Sequence, residues 1–393
     1  MAKQNKPAIR FKGFTDAWEQ RKLGEIVERI TRKNENLEST LPLTISAQYG
    51  LIDQNEFFDK RIASKDVSGY FLVKNGEFAY NKSTSSDAPW GAIKRLDRYE
   101  SGVLSTLYIV FKILDERKTS SDYIVTYYNT DLWHKGIQAI AAEGARNHGL
   151  LNVAPADFFE TNLTMPKDYA EQQQIGSFFQ QLDHLITLHQ RKYDKLQVLK
   201  KAMLEKMFPK NGSSVPEIRF KGFTDAWEQR KLGALCVEFK SGDFISASDI
   251  AENEAYPVYG GNGLRGFTNH YNHDGEYALI GRQGALCGNV NYAVGKSYFT
   301  EHAVAVRANK TNQTRFLYYL FSTMNLGQYS GQSAQPGLAV GNLVELENVV
   351  PSKPEQEKIA SFLSSLDNLI TLHQRELEKL QNIKKSMLEK MFA

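Results

Sequence analysis

The chain has 393 residues, 41% hydrophobic and 24% charged, with 48 Lys and Arg against 45 Asp and Glu. These ordinary globular proportions allow two or three domains, and a net charge of +3 permits a basic face without demanding nucleic acid. Two cysteines, Cys236 and Cys287, argue against a disulfide framework or a Cys-based zinc site; the lack of an 18-residue apolar run argues against a membrane span; and a start, MAKQNKPAIRFK, without a signal-peptide core makes the expected localisation cytoplasmic.

In chain order, the first feature is a sixteen-residue stretch, IRFKGFTDAWEQRKLG, at Ile9–Gly24, which returns unchanged at Ile218–Gly233. It is short and amphipathic, and Trp18 and Leu23, with Trp227 and Leu232, are expected to pack on a domain core. A variable region of mixed α/β character follows. GVLSTLYIVFKI (Gly102–Ile113) reads as strand and SDYIVTYYNTDLW as a short helix. From Glu171 to Phe208, Ile175, Phe179, Leu182, Ile186, His189, Tyr193, Leu196, Lys200, Met203 and Met207 recur at steps of four and three, a coiled-coil seam. Phe178, Leu185 and Leu199 widen the stripe. Asp168 with Glu171 forms the Asp variant of a capping box, and Pro209 marks the stop. His189 is best read as a polar residue fixing register rather than as a metal ligand or pH switch, and Lys200 as snorkelling out of the seam.

PKNGSSVPE (Pro209–Glu217) has linker composition. The second half repeats the plan: GEYAL (Gly275–Leu279) answers GEFAY (Gly76–Tyr80), EHAVAVRA (Glu301–Ala308) reads as strand, and TRFLYYLFSTMN matches the first short helix. Both variable regions reach a Gly-Leu pair, Gly149–Leu150 and Gly337–Leu338, before the long helix. Glu355–Phe392 aligns with Glu171–Phe208 without a gap, placing His373, Lys384 and Phe362 at the positions of His189, Lys200 and Phe178; Ser352 with Glu355 forms the capping box. The expected segments are a first domain with the opening motif at 1–165, a first long helix at 166–208, a linker at 209–217, a second domain with the repeated opening motif at 218–350, and a second long helix at 351–393.

Enzyme signatures do not appear. GNVNYAVGKS (Gly288–Ser297) resembles a phosphate loop, but the required first glycine falls on Val290. GxSxG, HExxH and CxxC are lacking, as are a glycine-rich methyl-donor loop and the Asp/Asn-Pro-Pro-aromatic signature of amino-methyltransferases. His270 and His273 lack a third ligand at recognisable spacing and read as turn or surface histidines. Sameness confined to the opening motif and the long helix, with divergent middles, means that the repeated segments bind something alike, or each other, and that the middles bind different things. Duplex DNA is a nearly twofold, extended ligand suited to such a chain. A helix of about 37 residues spans about 55 Å, and one DNA turn is roughly 34–36 Å.

The arrangement resembles the specificity subunit of type I restriction-modification systems. The resemblance covers nearly the whole chain and rests on WEQRKLG at Trp18–Gly24 and Trp227–Gly233, on EQQQIGSFFQQLDHLI and EQEKIASFLSSLDNLI opening the helices, and on Tyr256–Val290, which looks like a target-recognition domain. It implies an α+β chain in which two target-recognition domains of mixed α/β fold are separated by two long antiparallel coiled-coil helices. Each domain would read one half of a bipartite, asymmetric site in double-stranded DNA. The chain itself would be non-catalytic. It would dock two modification subunits that methylate adenine, with restriction subunits joining; S-adenosylmethionine, ATP and Mg would belong to those partners. Docking is expected at the repeated Trp18, Arg21 and Lys22, and Trp227, Arg230 and Lys231, together with Phe178 and Phe362.

Base readout needs Arg or Lys for guanine and Asn or Gln for adenine. Glycine-flanked loops offer Asn262 and Arg265, Arg282 and Gln283, and Gln332 and Gln335 in the second region. In the first region they offer Asn81, Lys82 and Ser83, and Arg146, Asn147 and His148. Three rival readings are a free-standing DNA binder, a coiled-coil scaffold without DNA, which has no need of these loops, and a methyltransferase in its own right, which fails on the missing motifs.

Overall fold

The structure is a computed structural model describing residues 7–46, 49–86, 88–141, 151–210, 212–284, 286–331 and 337–392. It divides into two compact units, one made of 1–188 with 376–393 and the other of 189–375.

In the first unit the strands β1 (Val27–Ile30), β2 (Phe78–Asn81), β3 (Ala92–Arg95) and β4 (Ile109–Ile113) form an antiparallel sheet in the order β1-β4-β2-β3. Successive side chains point to opposite faces. Phe78, Tyr80 and Phe111 therefore meet the helix Ser121–Tyr128 on one side. On the other side Ala79 and Val110 meet the strands Leu43–Ser46 and Phe71–Lys74. The central strands β2 and β4 are buried on both faces and so read as nearly continuous apolar runs rather than alternating ones. Gly102–Ile113 is two strands, not one: Tyr108 N–H donates to the Ser105 carbonyl at 3.1 Å and closes a turn between Ser101–Leu104 and β4.

The second unit repeats this sheet with β5 (Cys236–Ser241), β6 (Glu276–Gly281), β7 (Val290–Val294) and β8 (Ala303–Ala308) in the order β5-β8-β6-β7. Ala278, Ile280, Val304 and Val306 face the helix Thr314–Thr323, and Tyr277, Leu279 and Ala305 face the other way.

The long helices span Tyr169–Lys206 and Lys353–Met391. Each begins in one unit and ends in the other. In the first unit, Ile175, Phe179 and Leu182 of the first helix share a core with Met391 and Phe392 at the end of the second. In the second unit, Ile359, Leu363 and Leu366 share a core with Met207 and Phe208. The pairing is antiparallel, as His189 meets His373 and Lys200 meets Asp367. The lysines do not snorkel: Lys200 Nζ lies 2.5 Å from Asp367 Oδ1, and Lys384 Nζ lies 2.5 Å from Asp183 Oδ1. A carboxylate on the facing helix holds each ammonium beside the seam.

The capping boxes take another form. Asp168 Oδ1 accepts from Ala170 N–H at 2.8 Å, as an N-cap does. Glu171, however, does not reach back to the cap; it accepts from Arg10 Nε at 2.6 Å and Nη2 at 2.7 Å. Glu355 binds Arg219 in the same bidentate way, at 2.7 and 2.8 Å, and the Ser352 carbonyl takes the first N–H groups of its helix. The adjacent glutamines are buried too. Gln172 accepts from Ser120 N–H and donates to the Pro166 carbonyl; Gln356 accepts from Gln313 N–H and donates to the Pro351 carbonyl. The repeated Glu-Gln pair thus ties each long helix to the opening segment and to the start of the short sheet-covering helix.

Candidate nucleic-acid interface

In β5–β8, Ser241 lies opposite Val304, Gly281 opposite Ala303, and Ile280 opposite Val290. This register gathers the loops after β5, between β6 and β7, and before β8 at one end of the sheet. The hairpin of Tyr256–Gly260 and Gly263–Thr268 brings its turn to the same place: a Cβ on Gly261 would lie 3.0 Å from the His302 carbonyl and 3.5 Å from that of Gln283.

Asn262, Arg265, Arg282 and Gln283 therefore converge. The Arg265 chain lies across Gly260, where a Cβ would come within 2.6 Å of its Cδ. Arg282 is held from several sides. Its N–H donates to the His302 carbonyl at 2.9 Å, its carbonyl accepts from Leu338 N–H at 2.8 Å, and its Nη1 donates to Ser241 Oγ at 3.3 Å. Asn262, Arg265 and Gln283 are exposed and Arg282 is half-buried. Gln332 and Gln335 lie outside the described residues.

The first sheet has the same end. Asn81 lies opposite Ala92, and Tyr80 opposite Ile109. Asn81 Oδ1 accepts from Ser83 N–H at 3.0 Å and shapes the turn, on which Ser83 is exposed. Lys82 Nζ donates to the Val153 carbonyl at 3.4 Å, and partial burial lowers its pKa below the usual lysine value. Arg146, Asn147 and His148, with Gly149 and Leu150, lie outside the described residues.

The opening motif is a strand followed by a single 3-10 turn. Glu19–Lys22 pairs antiparallel with Asn162–Met165, and Glu228–Lys231 pairs with Glu347–Val350. Trp18, Leu23, Trp227 and Leu232 are buried. Arg21 is half-buried and Lys22, Arg230 and Lys231 stay exposed; all four are in ion pairs, among them Lys22–Glu160 at 2.6 Å and Lys231–Glu345 at 2.5 Å. Phe178 packs edge-on against Phe11 at 5.7 Å and Phe362 against Phe220 at 6.0 Å, so each meets the opening segment of its own unit.

His273 departs from the surface reading. It is buried, stacked on Phe299 at 4.5 Å, and its Nε2 lies 3.1 Å from Glu238 Oε1. Burial raises the pKa of Glu238, but hydrogen bonds from Lys240 and Tyr277 and the charge of His273 outweigh it and hold the carboxyl below its usual range. The network fastens the loop before β6 to β5. Among the described residues no group of three or more His, Cys, Asp or Glu is placed to hold a metal ion, and no helix is long and apolar enough to cross a membrane.

Sequence reading missed Ser241 and His302. Neither has a local motif; a strand end and a turn bring them to Arg282 from 41 and 20 positions away along the chain.

Residues 224–382 match the family model described as Type I restriction modification DNA specificity domain. The chain is 45% identical over 146 residues to the EcoprrI type I restriction enzyme specificity subunit of Escherichia coli, a match covering 36% of each protein. It is 21% identical over 410 residues to the MjaVIII specificity subunit of Methanocaldococcus jannaschii, covering 94% of this chain and 91% of that one. The fold matches a solved type I S subunit from M. genitalium with a TM-score of 0.69 at 17% identity, over 99% of both chains.

Proposed function

We propose that this chain is a specificity subunit of a type I restriction-modification system, a reading supported by the family-model match over 224–382 and by the matches to curated specificity subunits, and that its two lobes read the two halves of a bipartite, asymmetric DNA site. One observation carries this reading. The same sheet, in the same strand order, presents loops at the same end in both units, and the side chains on those loops differ. A shared scaffold with unlike loops is how rigid folds carry distinct recognition surfaces. Asn262, Arg265, Arg282 and Gln283 supply the paired donors and acceptors that base edges require in one lobe, as do Asn81 and Ser83 in the other. Arg146, Asn147, His148, Gln332 and Gln335 belong to the same reading. Lys82 belongs to the same reading, and Lys and Arg elsewhere contact phosphate and make binding salt-dependent.

The long helices set the separation of the half-sites. The half-buried Arg21 with the exposed Lys22, and the exposed Arg230 and Lys231, form two like patches for two modification subunits. The buried Trp18 and Trp227 and the covered Phe178 and Phe362 shape those patches from beneath. Restriction subunits join the assembly. The chain is non-catalytic: adenine methylation, S-adenosylmethionine, ATP and Mg belong to the partners.

The test maps modified adenines after methylation by the chain with its modification subunit. A split site is expected, each half changing only when the corresponding variable region is exchanged. A continuous site would overturn the reading.

A further inference from the structure

We infer that Phe244, Leu264 and Leu286 are specificity-determining residues that read thymine 5-methyl groups in the major groove; the inference rests on the DNA-reading function proposed above.

The three side chains are 76%, 56% and 49% exposed. Single exposed apolar residues are normal on a protein surface. These three lie on three separate segments that the register brings to one end of the β5–β8 sheet. Phe244 follows β5, Leu264 follows the Gly260–Gly263 turn, and Leu286 lies between β6 and β7. They alternate with the proposed base readers: Leu264 between Asn262 and Arg265, Leu286 just beyond Arg282 and Gln283.

The backbone beneath them is fixed. The Phe244 carbonyl accepts from Tyr298 Oη at 2.8 Å, and Asp243 N–H donates to the Phe299 carbonyl at 3.0 Å. A Cβ on Gly242 would fall 2.1 Å from the Phe299 carbonyl oxygen, so this segment lies tight against the neighbouring chain. Leu264 lies opposite Tyr259, and the Leu286 carbonyl lies 3.0 Å from where a Gly281 Cβ would be. Fixed backbone holding apolar side chains in water is the arrangement of a surface built to be covered. In the major groove the apolar feature that distinguishes one base from the rest is the methyl group of thymine.

The test uses the chain assembled with its modification subunits on duplexes carrying the mapped site. Each thymine of the half read by the second lobe is replaced in turn by deoxyuridine, which lacks only the methyl group. The expected loss is roughly fourfold in binding or methylation at one or more positions, since a buried methyl is worth about 0.8 kcal/mol. Phe244→Ser, Leu264→Ser and Leu286→Ser should each abolish the thymine-over-deoxyuridine preference at one position while leaving assembly and the other half-site unchanged. Site-specific methylation with no uracil effect anywhere, or a half-site without thymine, overturns this inference and leaves the DNA-reading function standing. Loss of all sequence preference would strike that function itself. Two other outcomes also overturn the inference: brightening of 2-aminopurine beside the site that depends on Phe244, which marks a wedge, and failure of Phe244→Ser to assemble, which marks a protein contact.

Discussion

Replacing Arg10 by Ala tests the latch between the opening motif and the first long helix. The Glu171 carboxylate is fully buried and takes two charge-assisted bonds from Arg10, at 2.6 and 2.7 Å, with a longer one at 3.3 Å from Trp18 Nε1. Removing the guanidinium leaves a buried charge with one long bond, from Trp18. Breaking a buried pair in this way costs about 3–5 kcal/mol. Glu171→Ala should cost less, because the Arg10 side chain is 14% exposed and can turn outward. The double replacement Arg10→Met with Glu171→Met should restore most of the loss, as hydrophobic substitutes for buried pairs commonly do. The second unit provides a near repeat: Arg219→Ala should cost at least as much as Arg10→Ala, since Arg219 meets Glu355 at similar distances and burial, also donates to the Asp225 carbonyl, and Trp227 Nε1 gives Glu355 no bond. Urea unfolding of the purified chain reads all of these free energies. A cost below about 1 kcal/mol for both arginine variants, or a double variant worse than either single, would refute the argument that burial makes this pair indispensable.

The tryptophans should behave unequally although their sequence surroundings are identical. Trp18→Phe removes a donor to a buried carboxylate and should cost about 1–2 kcal/mol more than Trp227→Phe, whose Nε1 is buried without a partner; equal costs in denaturant unfolding would contradict this. The His373 pKa lies below 6.5 because burial, His189 and Lys192 all disfavour its charge. A depressed histidine pKa contributes stability above pH 6.5 that is lost as the pH falls below that value, because the unfolded chain then binds the proton more readily. Thermal melts between pH 7.5 and 5.5 should show this slope, and His373→Gln should flatten it. Arg282→Ala should cost roughly 1–3 kcal/mol at one base pair; uniform weakening on every sequence would make Arg282 a phosphate contact. Gly288→Ala sets a Cβ 2.2 Å from Gly327 N at a residue with φ +86°, so it should disturb the Arg282 loop; under the proposed function, binding assays with the assembled complex should then show weaker recognition of one half-site and an unchanged other half.

Much of the architecture was legible because repetition leaves its mark in one dimension. The 3.5-residue spacing from Ile175 to Met207 is a property of the helix itself, and the return of IRFKGFTDAWEQRKLG reports two equivalent units before any contact is known. The pairing of His189 with His373 follows from the same symmetry: equivalent residues of an antiparallel pair meet at its midpoint, here with Nδ1 atoms 3.1 Å apart.

What the sequence by itself determined was the number of units, their elements and the residues they hold in common, since periodicity and repetition act along the chain. The tertiary structure alone decided the partners of buried charge and the composition of the loop edge of the β5–β8 sheet. Glu171 has the spacing of a capping-box residue, yet Arg10, distant in sequence, takes its carboxylate, because a buried charge must find its counter-charge wherever the fold supplies one. Ser241, Phe244, His302 and Arg282 share an edge because strand register, a long-range hydrogen-bonding choice, places their loops side by side.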